Sequence, residues 1–179
     1  MHVAILDNIR SAHNVGAIFR TADALGISKI YLVGYTPKPI DRFGRPAKEI
    51  VKTALGAEKT IPWEASTSLP RLISKLKKDG FTIIALEQAE NSTDYKKIRL
   101  TKKTALILGN EVTGIPPRLQ KQCDKIVHLP MLGVKNSLNV SVAFGAIAYY
   151  IWAKDNEKIK IIKNSPWQNK KPMLQSSIP

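Results

Sequence analysis

The chain has 179 residues, 44% hydrophobic and 23% charged, with 28 Lys and Arg against 14 Asp and Glu and a net charge of +14. That length fits one domain with a proper core, and that composition excludes a disordered chain. The single cysteine, Cys123, excludes a disulfide framework within the chain and fits a reducing cytosol, while the charge points to a polyanionic partner.

Val3 to Leu6 reads as a short buried strand, and Asp7 to Asn14 as a polar loop ending in a cap at Asn14. Val15 to Leu25 predicts a helix with Ile18, Ala22 and Leu25 on one face and Gly26 as its stop. Lys29 to Gly34 is a second strand. Tyr35 to Pro46 is a long, proline-rich loop in which Lys38, Arg42 and Arg45 accompany Phe43. Ala47 to Leu55 predicts a short helix, Lys59 to Trp63 a short strand, and Ser66 to Lys78 a helix closed by Asp79-Gly80. Phe81 to Leu86, Thr104 to Leu108 and Lys125 to Leu129 are further strands. Pro116 and Pro117 open a helix running to Cys123.

Pro130 to Tyr150 follows, a polar loop leading straight into an apolar helix that runs from about Leu138 to Asn156. A loop anchored this way holds its side chains firmly. The simpler reading makes Ser137 or Asn139 the cap of a core helix. Residues 164–179 read as a basic, proline-containing tail after a domain of residues 1–163, with Lys154 and Lys158 in the lysine-rich stretch from Lys154 to Lys171.

Strands alternate with helices, which predicts an α/β domain with a mostly parallel sheet. Ligands in such sheets bind beyond the C-terminal ends of strands. Three loops rich in polar groups leave such ends: Asp7 to Arg20, Gly109 to Gly114 and Pro130 to Asn139. No GxGxxG follows the first strand and no GxxxxGK[ST] occurs, so neither a dinucleotide fingerprint nor a P-loop is supported. His2, His13, His128 and Cys123 lack metal-ligand spacing, so no metal is expected. Ser137 lies in no G-x-S-x-G motif. No apolar run reaches the length of a membrane span, and no signal-peptide pattern follows Met1.

Three segments carry a specific resemblance. Asn14-Val15-Gly16-Ala17-Ile18-Phe19-Arg20-Thr21-Ala22 resembles the first signature of the SpoU/TrmH family of SPOUT-class RNA ribose 2'-O-methyltransferases. Leu108-Gly109-Asn110-Glu111-Val112-Thr113-Gly114-Ile115 resembles the second. Pro130-Met131-Leu132-Gly133 with Ser137-Leu138-Asn139-Val140-Ser141-Val142-Ala143 resembles the third. The order and spacing agree, over most of the chain from Asp7 to Tyr150. The resemblance implies a C-terminal trefoil knot, which no periodicity would reveal. It also implies S-adenosylmethionine as cofactor, an RNA substrate (tRNA first, rRNA next), and a homodimer whose site draws on both subunits.

By the same resemblance, Leu86, Gly109, Leu129, Met131 and Leu138 would contact the cofactor, and Asn14, Arg20, Glu111, Ser137 and Asn139 are the functional positions. Arg20 would fork onto a phosphate. The family casts this arginine as general base, but an arginine stays protonated, so a phosphate oxygen or water taking the proton is the alternative. Glu111 would orient Asn14, Arg20 or the loops. Ser137 and Asn139 would close the cofactor loop and position Arg20 or the hydroxyl. Gly109, Gly114 and Gly133 would let backbone approach the ligand. The first strand begins at Val3, so the minimal form without an N-terminal RNA-binding domain is expected. RNA contact would then fall to Arg20, Lys38, Arg42, Arg45, Lys154 and Lys158. A non-catalytic RNA-binding protein on the same scaffold and a small-molecule methyltransferase are the competing readings. The net charge speaks against the latter.

Overall fold

In a computed structural model, residues 1–98 and 101–155 are described. Among the described residues, seven strands form one sheet in the order β3-β2-β1-β6-β4-β7-β5. They are β1 (His2–Asp7), β2 (Lys29–Val33), β3 (Trp63–Ser66), β4 (Thr82–Leu86), β5 (Thr93–Asp94), β6 (Thr104–Leu108) and β7 (Lys125–His128). Every pairing between them is parallel. A parallel sheet needs cover on both faces, and the alternating side chains supply two cores. Ala4 and Leu6 of β1 and Leu106 and Leu108 of β6 face one core. Val3, Ile5, Ala105 and Ile107 face the other.

The helices α1 (Ala12–Ala24), α2 (Lys48–Ala54), α3 (Ala57–Thr60) and α6 (Val140–Asp155) close the first face. Ile18, Phe19, Ile50, Phe144 and Trp152 are fully buried there. The helices α4 (Leu69–Lys78) and α5 (Pro117–Gln120) close the second face through Leu72, Ile73, Leu76 and Leu119. Gly16 lets α1 and α2 meet: a Cβ there would sit 2.5 Å from the Ile50 carbonyl oxygen and overlap the Thr53 hydroxyl. No helix among the described residues is long and apolar enough to cross a membrane.

Several boundaries differ from expectation. The cap of α1 is Ser11, not Asn14. Ser11 is extended, at φ −83° and ψ 114°, and its hydroxyl accepts the Asn14 backbone N–H at 3.2 Å. The helix therefore starts earlier, and the Asn14 side chain is released from capping. The strand expected at Lys59 to Trp63 is displaced to β3. Residues Ala57–Thr60 instead form the one-turn helix α3, and parallel register with β2 sets Ile30 opposite Trp63 and Val33 opposite Ser66. The helix α4 starts at Leu69 behind a Ser68 cap, and α5 ends at Gln120 rather than Cys123. A two-residue strand, β5, was not legible in the polar stretch from Glu87 to Tyr95. The tail from 164, Lys158, and Asn156, where the last helix was expected to end, lie outside the described residues.

Candidate active site

Because all strands run parallel, their C-terminal ends share one edge of the sheet. The adjacent central strands β1, β6, β4 and β7 end there at Asp7, Leu108, Leu86 and His128. The loops after β4, β6 and β7 converge on a cavity of about 360 Å³, lined by Leu86, Gly109, Glu111, Leu129, Met131, Ser137 and Leu138 among others. The five residues expected at the cofactor thus share one cavity. A more open cleft adjoins it, lined by Arg10, Asn14, Glu111, Ser137, Leu138 and Asn139. Glu111, Ser137 and Leu138 line both.

A chain of polar contacts joins the three signature segments. The Glu111 carboxylate accepts the backbone N–H groups of Arg10 at 2.9 Å and Ser11 at 3.2 Å, and the Asn14 side-chain amide at 3.1 Å. A carboxylate only accepts, so Asn14 turns Nδ2 towards it. Asn14 Oδ1 is left to accept from Asn139 Nδ2 at 3.0 Å. Asn139 Oδ1 in turn accepts the backbone N–H of Ser141 at 2.9 Å and of Val142 at 3.4 Å, and the Ser141 hydroxyl at 2.7 Å. Asn139 is therefore the cap of α6 and a member of the site together. Burial pushes the Glu111 carboxyl up, but hydrogen bonds from the N–H groups of Arg10, Glu111 itself and Ser11 and from Asn14 outweigh it and hold it below its ordinary 4.5.

Arg20 is placed differently. It is exposed, lines neither cleft, and makes no hydrogen bond or ion pair among the described residues. Six residues past Asn14, it lies about 9 Å further along α1. Glu111 and Asn139 therefore hold Asn14 and not Arg20, although both roles were open in the sequence. Ser137 is exposed at the rim and makes no hydrogen bond among the described residues. Lys38, Arg42 and Arg45 are exposed and line neither cleft. Lys154 falls in α6, and its side chain lies outside what is described.

Two organising residues were missed. Asn110, 7% exposed, donates to the Asn8 carbonyl at 2.8 Å and the Tyr35 hydroxyl at 2.7 Å. Its Oδ1 accepts the N–H groups of Val112 and Thr113, each at 2.9 Å. An Asn heading a turn that follows a strand was the available signal. Glu87, just past β4, accepts the Ile115 N–H at 2.6 Å and the Gln88 N–H at 3.0 Å. Nothing in its local sequence marks it. Gly109 and Gly114 line the cavity and are also packed tightly within the loop. Gly114 has φ +63° and a Cβ there would strike the Glu87 carboxylate, while a Cβ on Gly109 would meet the Gly114 carbonyl carbon at 2.6 Å. Gly133 has open space around it.

The model of the SpoU rRNA Methylase family matches residues 1–149. A Staphylococcus saprophyticus protein assigned to the TrmH family of tRNA/rRNA methyltransferases is 35% identical over 154 residues, covering 86% of this chain and 59% of its own length. The chain thus spans about three-fifths of the curated relatives it matches. The crystal structure of the A. aeolicus TrmH/SpoU tRNA modifying enzyme superposes with a TM-score of 0.77 at 30% identity, over 88% of this chain and 76% of that one. An AdoMet-bound rRNA methyltransferase from Sinorhizobium meliloti superposes with a TM-score of 0.78 at 30% identity, over 86% and 56%. With that match spanning all three signatures, and the signatures meeting through Glu111, Asn14 and Asn139, the chain belongs to the SpoU/TrmH family of SPOUT-class methyltransferases.

Proposed function

We propose that this chain transfers a methyl group to a ribose 2'-hydroxyl of RNA, with tRNA the first substrate to test and rRNA the second. The observation that carries the reading is the Glu111–Asn14–Asn139 chain at the mouth of a cavity of cofactor size. The cavity suits S-adenosylmethionine. Leu86, Leu129, Met131, Leu138 and Val140 offer apolar walls, and Glu87 and Glu111 add carboxylates suited to a cationic sulfonium. Bound there, the cofactor would supply an electrophilic methyl to the ribose oxygen. The remaining work belongs to the protein. Asn14, held from both sides, fixes the position of α1 against the third-signature loop. Ser137 at the shared rim positions the hydroxyl. Arg20 binds the neighbouring phosphate, and a phosphate oxygen or water receives the hydroxyl proton.

Arg20 does not line its own chain's clefts, which supports a site completed by a second copy. The helix α6 is apolar all round, and Val142 and Tyr149 remain more than half exposed on it, with Ala146 exposed between them. Its Gly145 faces Thr21 of α1, the residue that follows Arg20 in sequence. Pairing along the exposed stripe of α6 would offer Arg20 to the partner's cavity. The C-terminal trefoil knot belongs to the same reading. Its support is the family match over residues 1–149; α6 also meets the segment after β4, where Tyr150 donates to the Lys96 carbonyl at 2.9 Å and packs on Tyr95.

Incubation with methyl-labelled S-adenosylmethionine and bulk tRNA or rRNA, followed by nucleoside digestion, tests the reading. It expects label in one 2'-O-methylnucleoside. Label in a base, or no transfer by folded protein that binds both ligands, counts against it.

A further inference from the structure

The turn between β2 and α2 is a small, rigid, positively charged knob with an aromatic ring at its tip. Its base is closed by a bridge between Ile40 and Pro46 and by the Ala47 N–H donating to the Pro39 carbonyl at 2.9 Å. Asp41 organises its interior. One carboxylate oxygen accepts the N–H groups of Phe43 at 2.8 Å and Arg45 at 2.9 Å, and the other accepts Arg45 Nε at 2.9 Å. Gly44, at φ +77°, supplies the left-handed residue the turn needs. At the tip Phe43 is 64% exposed. Burial does not account for an exposed phenyl held so firmly. The guanidinium carbons of Arg42 and Arg45 lie 4.7 and 5.0 Å from its ring centroid. Arg45 is tied to Asp41 through Nε, whereas among the described residues the ring is the one contact of the Arg42 guanidinium, which is therefore free to swing onto a phosphate. The root of this segment is joined to the active site, because Asn110 of the second signature donates to the Tyr35 hydroxyl. Tyr35 is itself a second exposed ring.

Building on the RNA reading above, we infer that the Phe43 knob stacks against an unpaired base of the substrate RNA while Arg42 and Arg45 hold the flanking phosphates. Stacking on an aromatic ring and pairing of guanidinium with phosphate are two interactions that single-stranded RNA offers a protein surface without any reading of sequence. A duplex hides its base faces and would use the arginines alone. The knob thus favours an RNA loop or end over a helix and does so without reading sequence.

The test is binding of the full chain to a fluorescent oligoadenylate of about ten nucleotides and to an RNA duplex of about 16 base pairs. It compares wild type with Phe43→Ala, Phe43→Leu and Phe43→Trp over a range of salt. Phe43→Ala and Phe43→Leu should weaken oligoadenylate binding about five- to one-hundred-fold, leave the salt slope unchanged and spare the duplex. Phe43→Trp should retain or improve it. Arg42→Ala should reduce the salt slope for both RNAs. Equal loss for single strand and duplex in Phe43→Ala overturns stacking. Wild-type binding that Phe43→Ala does not alter overturns the Phe43 ring as an RNA contact but leaves RNA methylation standing. A wild-type chain that binds neither RNA overturns the RNA reading and this inference with it.

Discussion

Asn139 Nδ2 donates to Asn14 Oδ1 at 3.0 Å, joining residues 125 positions apart in sequence. The same Asn139 caps α6 and the same Asn14 is held by Glu111. One short relay therefore fixes the start of the last helix against the first.

That relay predicts non-additivity. Asn14→Ala and Asn139→Ala should each destabilise the fold, Asn139→Ala more, since it also removes a helix cap worth about 1 kcal/mol. In a double-mutant cycle by urea denaturation the pair should show a coupling of about 1 kcal/mol. Additive effects would show that the contact carries no energy.

Glu111 predicts a pH dependence. Its folded pKa is depressed, so its contribution to stability is present above its ordinary 4.5 and is lost as pH falls through the lower folded value. Thermal melts from pH 6 downward should show an acid-side loss, read against the other carboxylates by comparison with Glu111→Gln. The variant should melt lower at pH 6 and converge on wild type in acid. A constant difference at every pH would contradict this.

Arg20 predicts a separation of functions. It is exposed and without a partner among the described residues, so Arg20→Ala should fold normally and bind S-adenosylmethionine with unchanged affinity. Its transfer rate should fall about 10²- to 10³-fold, the loss typical of one charge-stabilising donor. Mixing Arg20→Ala with a variant damaged in the cavity, such as Leu86→Trp, should restore part of the activity if the site is shared between copies.

Gly16 predicts a packing defect. Alanine there would push on the Ile50 carbonyl and the Thr53 hydroxyl. Denaturation should show a loss of about 1–3 kcal/mol. On the opposite side of α1, Val142→Lys on the exposed α6 stripe should leave the monomer folded. If copies pair along the stripe as proposed, sedimentation should report a lower mass than wild type, and an unchanged mass would contradict that pairing.

Much of this was legible because periodicity and spacing are local. Leu6, Ile18, Leu106 and Phe144 read as core from pattern alone and are core. The five cavity residues came together because parallel strands place their C-terminal ends on one edge. What was hidden depended on tertiary contact. Ser11 rather than Asn14 caps α1, and both are good caps in isolation; only the Glu111 carboxylate, about a hundred residues away, claims Asn14. Glu87 carried no local signal, because its partner, the Ile115 N–H, belongs to another loop. The placement of Arg20 outside its own cavity could not be read from a signature that puts it beside Asn14 in sequence.

The most direct measurement is mass mapping of ribose methylation in total tRNA and rRNA from cells with the wild-type gene, without it, and with Arg20→Ala. Loss of one 2'-O-methyl group without the gene, not restored by Arg20→Ala, is the predicted result. An unchanged methylation map in cells shown to express the wild-type protein would contradict the assigned activity.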